Sequence, residues 1–143
     1  MKKYSHNYGE YELNKQKPVL YSKIQEELKE ASKKEDGEIK EAIENLFSEW
    51  KSNKTVNDNL SLRYDFRKER IQVEFQFGNV ARYYADIMKL EYSVSESSMD
   101  YGILIVPTKK RAERMGHNLA YYERAKNEMQ EFRKIIESSI VIF

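Results

Sequence analysis

The stretch Tyr64-Asp65-Phe66-Arg67-Lys68-Glu69-Arg70-Ile71-Gln72-Val73-Glu74-Phe75-Gln76-Phe77-Gly78-Asn79 decides the fold. Ile71, Val73, Phe75 and Phe77 alternate with Gln72, Glu74 and Gln76, the period of two that marks a strand. Leu60, Leu62, Tyr64 and Phe66 alternate in the same way with Ser61, Arg63 and Asp65. Two such runs, 60–66 and 71–77, joined by polar residues around Lys68-Glu69, predict a β-hairpin ended by Gly78-Asn79. With a tight turn centred on Lys68-Glu69, Asp65 stands opposite Gln72 and diagonal to Glu74. Diagonal neighbours lie roughly 7–8 Å apart at Cα, which lets two carboxylates converge on one cation. A hard divalent ion such as Mg2+ is held by one or two carboxylates plus carbonyl, water and phosphate oxygens, so the spacing permits a metal site. It equally permits two solvated carboxylates on a wet strand face, and a slip of one residue would part them altogether.

Outward from the hairpin the period changes to 3.6. Residues 22–34 open with Ser22 and Gln25 in capping-box spacing and place Ile24, Leu28 and Ala31 on one face. Asp36-Gly37 breaks that helix, and Ile39, Ala42, Ile43, Leu46, Phe47 and Trp50 form the broad stripe of a second. Asn53 to Asn59 reads as a loop. Beyond the hairpin come a helix over 80–90, a buried-type strand over Tyr101–Val106 closed by Pro107, a helix over 118–136 and a final strand over Ile140–Phe143. The predicted order is α-α-β-β-α-β-α-β: an α/β fold with a mixed β-sheet flanked by helices, one domain over 1–143 with residues 1–20 as an N-terminal extension.

The 143 residues carry 25 Lys+Arg against 24 Asp+Glu, a net charge of +1 that taken alone argues against a nucleic-acid partner. The total conceals a dipole. Residues 21–50 hold nine acidic residues against five lysines, a net of −4, and residues 107–134 hold eight basic residues against four glutamates, a net of +4. No apolar run exceeds four residues, which excludes a transmembrane helix and leaves no secretory signal visible. The absence of cysteine excludes a disulfide scaffold and thiolate metal sites, and fits a cytoplasmic protein. His6 and His117 lack a second histidine at ligand spacing, and no phosphate-binding glycine loop or dinucleotide fingerprint is present.

The motif Asp65-x8-Glu74-x-Gln76 resembles the catalytic motif of BglII/BstYI-like type II restriction endonucleases, members of the PD-(D/E)xK nuclease superfamily. Gly102-Ile103-Leu104-Ile105-Val106-Pro107-Thr108-Lys109 and Ala120-Tyr121-Tyr122-Glu123-Arg124-Ala125 match that group in order and approximate spacing, so the likeness spans roughly residues 60–136. It implies Asp65 and Glu74 as metal-binding carboxylates, with the main-chain carbonyl of Phe75 as a further ligand. Gln76 stands where most of the superfamily has lysine; a glutamine amide does not titrate, so it can orient a water but cannot be a general base. Asn53 falls where a related enzyme has an active-site asparagine, and Glu49 is an acidic neighbour that could serve instead.

The resemblance further implies Mg2+ as cofactor, with Mn2+ able to substitute, and duplex DNA as partner, cut at a short palindrome of GATC-centred type. Lys109, Lys110, Arg111 and Arg114 follow the third strand and are candidate DNA contacts, since Lys and Arg supply most non-specific affinity for DNA; a solvated loop is the bland alternative. Tyr122, Ala125, Met129, Phe132 and Ile136 form a stripe with a seven-residue repeat, which is core or, as in relatives, the contact of a homodimer through the 118–136 helix. Two other functions remain open on sequence: a structure-selective or repair nuclease of the same fold, and a non-catalytic helical interaction module with Asp65 and Glu74 facing solvent.

Overall fold

The computed structural model describes residues 1–143 apart from Asp58 and Leu60. Among the described residues six strands form one mixed sheet: β1 (Tyr4–His6), β2 (Lys51–Ser52), β3 (Phe66–Lys68), β4 (Ile71–Phe75), β5 (Tyr101–Ile105) and β6 (Ser139–Ile142). Their spatial order is β1-β6-β5-β4-β3-β2. The central β4-β5-β6 pairs are parallel and the outer pairs antiparallel. The helices are α1 (Gly9–Gln16), α2 (Pro18–Ala31), α3 (Ile39–Leu46), α4 (Val80–Ser95), α5 (Lys109–Met115) and α6 (Tyr122–Glu131), the last followed by a 3-10 turn over Phe132–Lys134.

The predicted fold class is the one observed, a mixed sheet with helices on both faces. Leu13 of α1, Tyr21, Ile24 and Leu28 of α2, and Ile39 and Ile43 of α3 pack with Ile71, Val73, Ile103 and Val141 on one face. Tyr83, Ile87 and Leu90 of α4 and Tyr122, Ala125 and Met129 of α6 pack with Leu104, Ile140 and Ile142 on the other. With helices on both sides, the polar residues of β4 are covered, and that fact governs the site.

Several elements lie elsewhere than their patterns predict. The first twenty residues, expected as an extension, supply β1, which pairs with β6, and α1, which lies against it. The strand expected over 60–66 joins the β4 ladder only from Phe66; Leu60 lies outside the described residues. Leu62 and Tyr64 pair instead with the expected loop, through Val56 N–H to Leu62 O at 2.8 Å and Tyr64 N–H to Lys54 O at 3.1 Å. The 118–136 helix begins only at Tyr122, because Asn79 and Leu119 form an antiparallel bridge that keeps the preceding residues extended. Residues 109–115 form the separate α5, whose N-cap Thr108 follows Pro107.

The hairpin turn is shifted by one residue. Glu69 (φ 48°) and Arg70 (φ 67°) both adopt left-handed backbone, the geometry of a two-residue turn that usually takes Asn-Gly. Neighbours hold the unfavourable pair in place: Arg70 forms a bidentate pair with Asp100 at 2.8 and 2.6 Å, and Lys17 reaches Glu69 at 3.1 Å. The register becomes Phe66↔Val73 and Arg67↔Gln72, so its continuation sets Asp65 across from Glu74 instead of Gln72. The shift in register is two residues, and face parity survives.

Gly9 begins α1 where the helix meets β6; a Cβ there would sit 2.8 Å from the Ile140 backbone, whereas a Cβ on Gly37 would meet nothing within 4 Å. Gly9→Ala is therefore expected to lose about 1–3 kcal/mol of stability, the usual penalty of overpacking, with Gly37→Ala near neutral. Urea denaturation of both variants checks it.

Candidate active site

Gln72, Glu74 and Gln76 point away from the α1–α3 side and into the packing beneath α4. All three are buried, and Glu74 has no exposed surface. The reading in which Glu74 faces solvent is thereby overturned. Asp65 sits at the bend just before β3, half-buried, where its Oδ2 accepts the Phe75 N–H at 2.9 Å. A strand carbonyl would normally take that N–H. The fraying of β3 from β4 thus brings the Asp65 carboxylate to the end of β4, next to the Phe75 main chain.

Glu74 is fully engaged. Its Oε1 accepts from Gln72 Nε2 at 2.7 Å and its Oε2 from Lys89 Nζ at 2.5 Å. Lys89 also contacts Asp86 Oδ1 at 2.9 Å and donates to the Arg63 carbonyl at 2.9 Å. Gln76 donates from Nε2 to Asp86 Oδ2 at 2.7 Å and accepts the Gly78 N–H at 2.6 Å. At the other end Arg67 donates to Gln72 Oε1 and, at 3.0 Å, to Ser93 Oγ. One hydrogen-bonded chain therefore runs from Arg67 through Gln72, Glu74, Lys89 and Asp86 to Gln76.

Asp86, Lys89 and Ser93 are the site residues that strand-pattern reasoning missed. They fall at i, i+3 and i+7 on α4, among the buried Tyr83, Ile87 and Leu90. Polar residues inside an apolar helical stripe are the signal that could have found them, since such groups are buried only with partners.

Burial pushes the Glu74 carboxyl up to about 8; Lys89 opposes the rise and Asp65 adds to it. Burial also raises Asp65, against the Phe75 N–H, and raises Asp86, against Lys89. Burial draws the Lys89 ammonium down, but Glu74 and Asp86 more than reverse this and leave it raised. Three carboxylates around one ammonium are short of positive charge.

The site borders a cleft of about 720 Å3 lined by Asn53, Asp65, Phe75, Gln76, Asp86 and Lys89, with Lys40, Arg63 and Arg82 on its rim. Asn53 thus lies beside Asp65, in left-handed backbone (φ 52°) after β2, its N–H shared between the Tyr64 and Asp65 carbonyls. Glu49 lines a different groove, between α2 and α3. Lys109 and Lys110 are exposed at the start of α5. Arg111 and Arg114 are engaged by Asp36: Arg111 Nε reaches Oδ1 at 2.8 Å and Arg114 Nε reaches Oδ2 at 2.7 Å. Phe77 borders both the site cleft and the neighbouring cavity lined by Lys110, Arg111 and Arg114.

Hard oxygen donors from Asp65, Glu74 and the Phe75 carbonyl suit a divalent cation. The arrangement is nonetheless closed upon Lys89. Among the described residues no group of three or more His, Cys, Asp or Glu stands ready to hold a metal ion.

A mixed sheet with an Asp…Glu-x-Gln set at the end of its antiparallel hairpin defines a restriction-endonuclease fold, and comparison with known proteins agrees. The family model "Restriction endonuclease BglII/BglIII" matches residues 1–143, and the chain belongs to that family. Membership makes it a DNA endonuclease, a hydrolase of a class that generally uses divalent metal. Among solved structures the chain is similar to BglII complexed with a DNA 16-mer, at 19% identity and TM-score 0.76, covering 99% of this chain and 74% of that one. It is similar also to free BglII, at 20% identity and TM-score 0.71, covering 99% and 76%. No curated protein matches it by sequence.

The raised carboxylates carry a pH dependence. Glu74 binds its proton more tightly folded, at about 8, than at the ordinary 4.5, so its stabilisation is complete below 4.5 and lost as pH rises through about 8. Melting of the metal-free protein is expected to fall across that window, and Glu74→Gln to flatten the fall. Thermal scans at stepped pH check it; equal slopes in both proteins would contradict it.

Proposed function

We propose that the protein is a Mg2+-dependent type II restriction endonuclease that cuts duplex DNA at a short palindrome. Support comes above all from Asp65, which lines a cleft that also holds Lys40, Arg63 and Arg82 and accepts the Phe75 N–H, with Glu74 buried behind it where the continued hairpin register sets it across from Asp65. Asp65, Glu74 and the Phe75 carbonyl would hold Mg2+, with Mn2+ able to replace it. The ion, when bound, lowers the pKa of water and neutralises charge building on the phosphate. The water oxygen attacks phosphorus and the bond to O3′ breaks, leaving a 3′-hydroxyl and a 5′-phosphate.

The chain's own residues orient and bind. Gln76 fixes Asp86 and the Gly78 N–H, and its amide can align water without accepting its proton. Asn53 offers an exposed side chain at the cleft beside Asp65. Lys40, Arg63 and Arg82 on the rim and Lys109 and Lys110 on α5 would engage phosphates, giving affinity that falls with salt. Arg111 and Arg114 would join them on leaving Asp36. A GATC-centred palindrome, a homodimer and a cytoplasmic setting complete the proposal. No helix among the described residues is long and apolar enough to cross a membrane. The α6 stripe of Tyr122, Ala125 and Met129 is buried within the chain's own second core, so it is not the dimer contact, and another face would serve.

Plasmid incubated with Mg2+ should yield discrete fragments whose sequenced ends share one palindrome. EDTA should abolish them, and Asp65→Ala or Glu74→Ala should slow cleavage by roughly a thousandfold. A smear of fragments would favour the structure-selective or repair nuclease of the same fold. Intact plasmid together with no binding to DNA would contradict both.

A further inference from the structure

Lys89 is a lysine with no freedom. Its side chain is 9% exposed, its stem lies in the α4 packing, and its contacts go to Glu74, Asp86 and the Arg63 carbonyl. An ammonium has three donors, and three partners take them. Glu74 is equally committed, because Gln72 fills its other oxygen. Asp86 is placed differently. It lies one helical turn before Lys89, and Gln76 holds only its Oδ2.

We propose that Lys89 is a built-in cation that occupies Glu74 and competes with the divalent metal for its Oε2, with Asp86 as the berth that keeps the displaced ammonium in the site. Charge supports the arrangement. Asp65, Glu74 and Asp86 contribute −3 when ionised and Lys89 contributes +1, so a divalent cation beside the retained ammonium brings the total to zero. Metal therefore adds to Lys89 and only its contact with Glu74 is exchanged. Lys89 acts here as a positioning residue for the metal ligand. A buried ion pair broken without a substitute leaves an uncompensated charge, which is why the second berth matters.

This inference rests on the metal-dependent nuclease reading, and the two fail differently. Mn2+ binding to the DNA-free protein is followed by calorimetry and by the electron paramagnetic resonance of free Mn2+, with Asp65→Ala marking which binding belongs to the site. Lys89→Met, which removes the competitor and keeps the volume, should tighten Mn2+ binding by roughly tenfold or more. Asp86→Asn, which turns the ammonium wholly toward Glu74, should weaken it by a similar factor. A purely structural lysine would move neither value. Should Lys89→Met fold poorly without metal, Lys89→Gln serves with thermal unfolding as readout. Its melting temperature should then rise more with Mn2+ than that of the parent protein. Unchanged or weaker binding in folded Lys89 variants overturns the proposal while leaving the nuclease reading intact. A parent protein that neither binds Mn2+ nor cuts DNA overturns both.

Discussion

A carboxylate buried beneath a helix is the constraint on which this structure turns. Glu74 on β4 has no exposed surface and lies beneath α4, where Lys89 meets it. An isolated ionised carboxylate in such a place is too costly to keep. The chain answers by threading polar groups through the α4–β4 interface: Gln72 and Gln76 flank Glu74 on the strand, and Asp86, Lys89 and Ser93 oppose it from the helix. Stability, electrostatics and the proposed chemistry all depend on that seam. Its excess negative charge is what a divalent cation would relieve.

The seam exists because the sheet is mixed and covered on both sides. Parallel pairing of β4, β5 and β6 requires crossover connections, and α4 makes the first of them, between β4 and β5. Asp65 reaches the seam by the opposite means. The ladder between β3 and β4 stops at Phe66, and the released residue turns its side chain to the Phe75 N–H. The left-handed Glu69-Arg70 turn sets the register that makes this possible, and Asp100 and Lys17 pin it from outside the hairpin.

Much of this was legible in the residues. The alternation of 71–77 identified β4, and the spacing of Asp65, Glu74 and Gln76 singled out the three side chains that the fold brings to one strand end. What the alternation left open was whether the hairpin's polar face is wet or covered. Alternation reports two unlike faces and does not say which is covered; here charged α4 residues, invisible to a period-two reading, covered it. The turn was misplaced because Glu69-Arg70 has none of the usual turn residues and is held by long-range ion pairs. Arg111 and Arg114 read as a free basic patch because Asp36, their partner, lies some 75 residues earlier. The N-terminal strand was missed for its brevity: Tyr4–His6 gains its place only by pairing with β6.

Asp65, Glu74 and the Phe75 carbonyl are proposed to form one divalent cation site on the edge of this seam. Diffraction from crystals grown with DNA and Mn2+, recorded near the manganese edge, tests it most directly. An anomalous peak is expected within coordination distance of Asp65 and Glu74, with Lys89 turned to Asp86. A peak away from both carboxylates, or Glu74 still closed upon Lys89 with metal bound elsewhere, would contradict it.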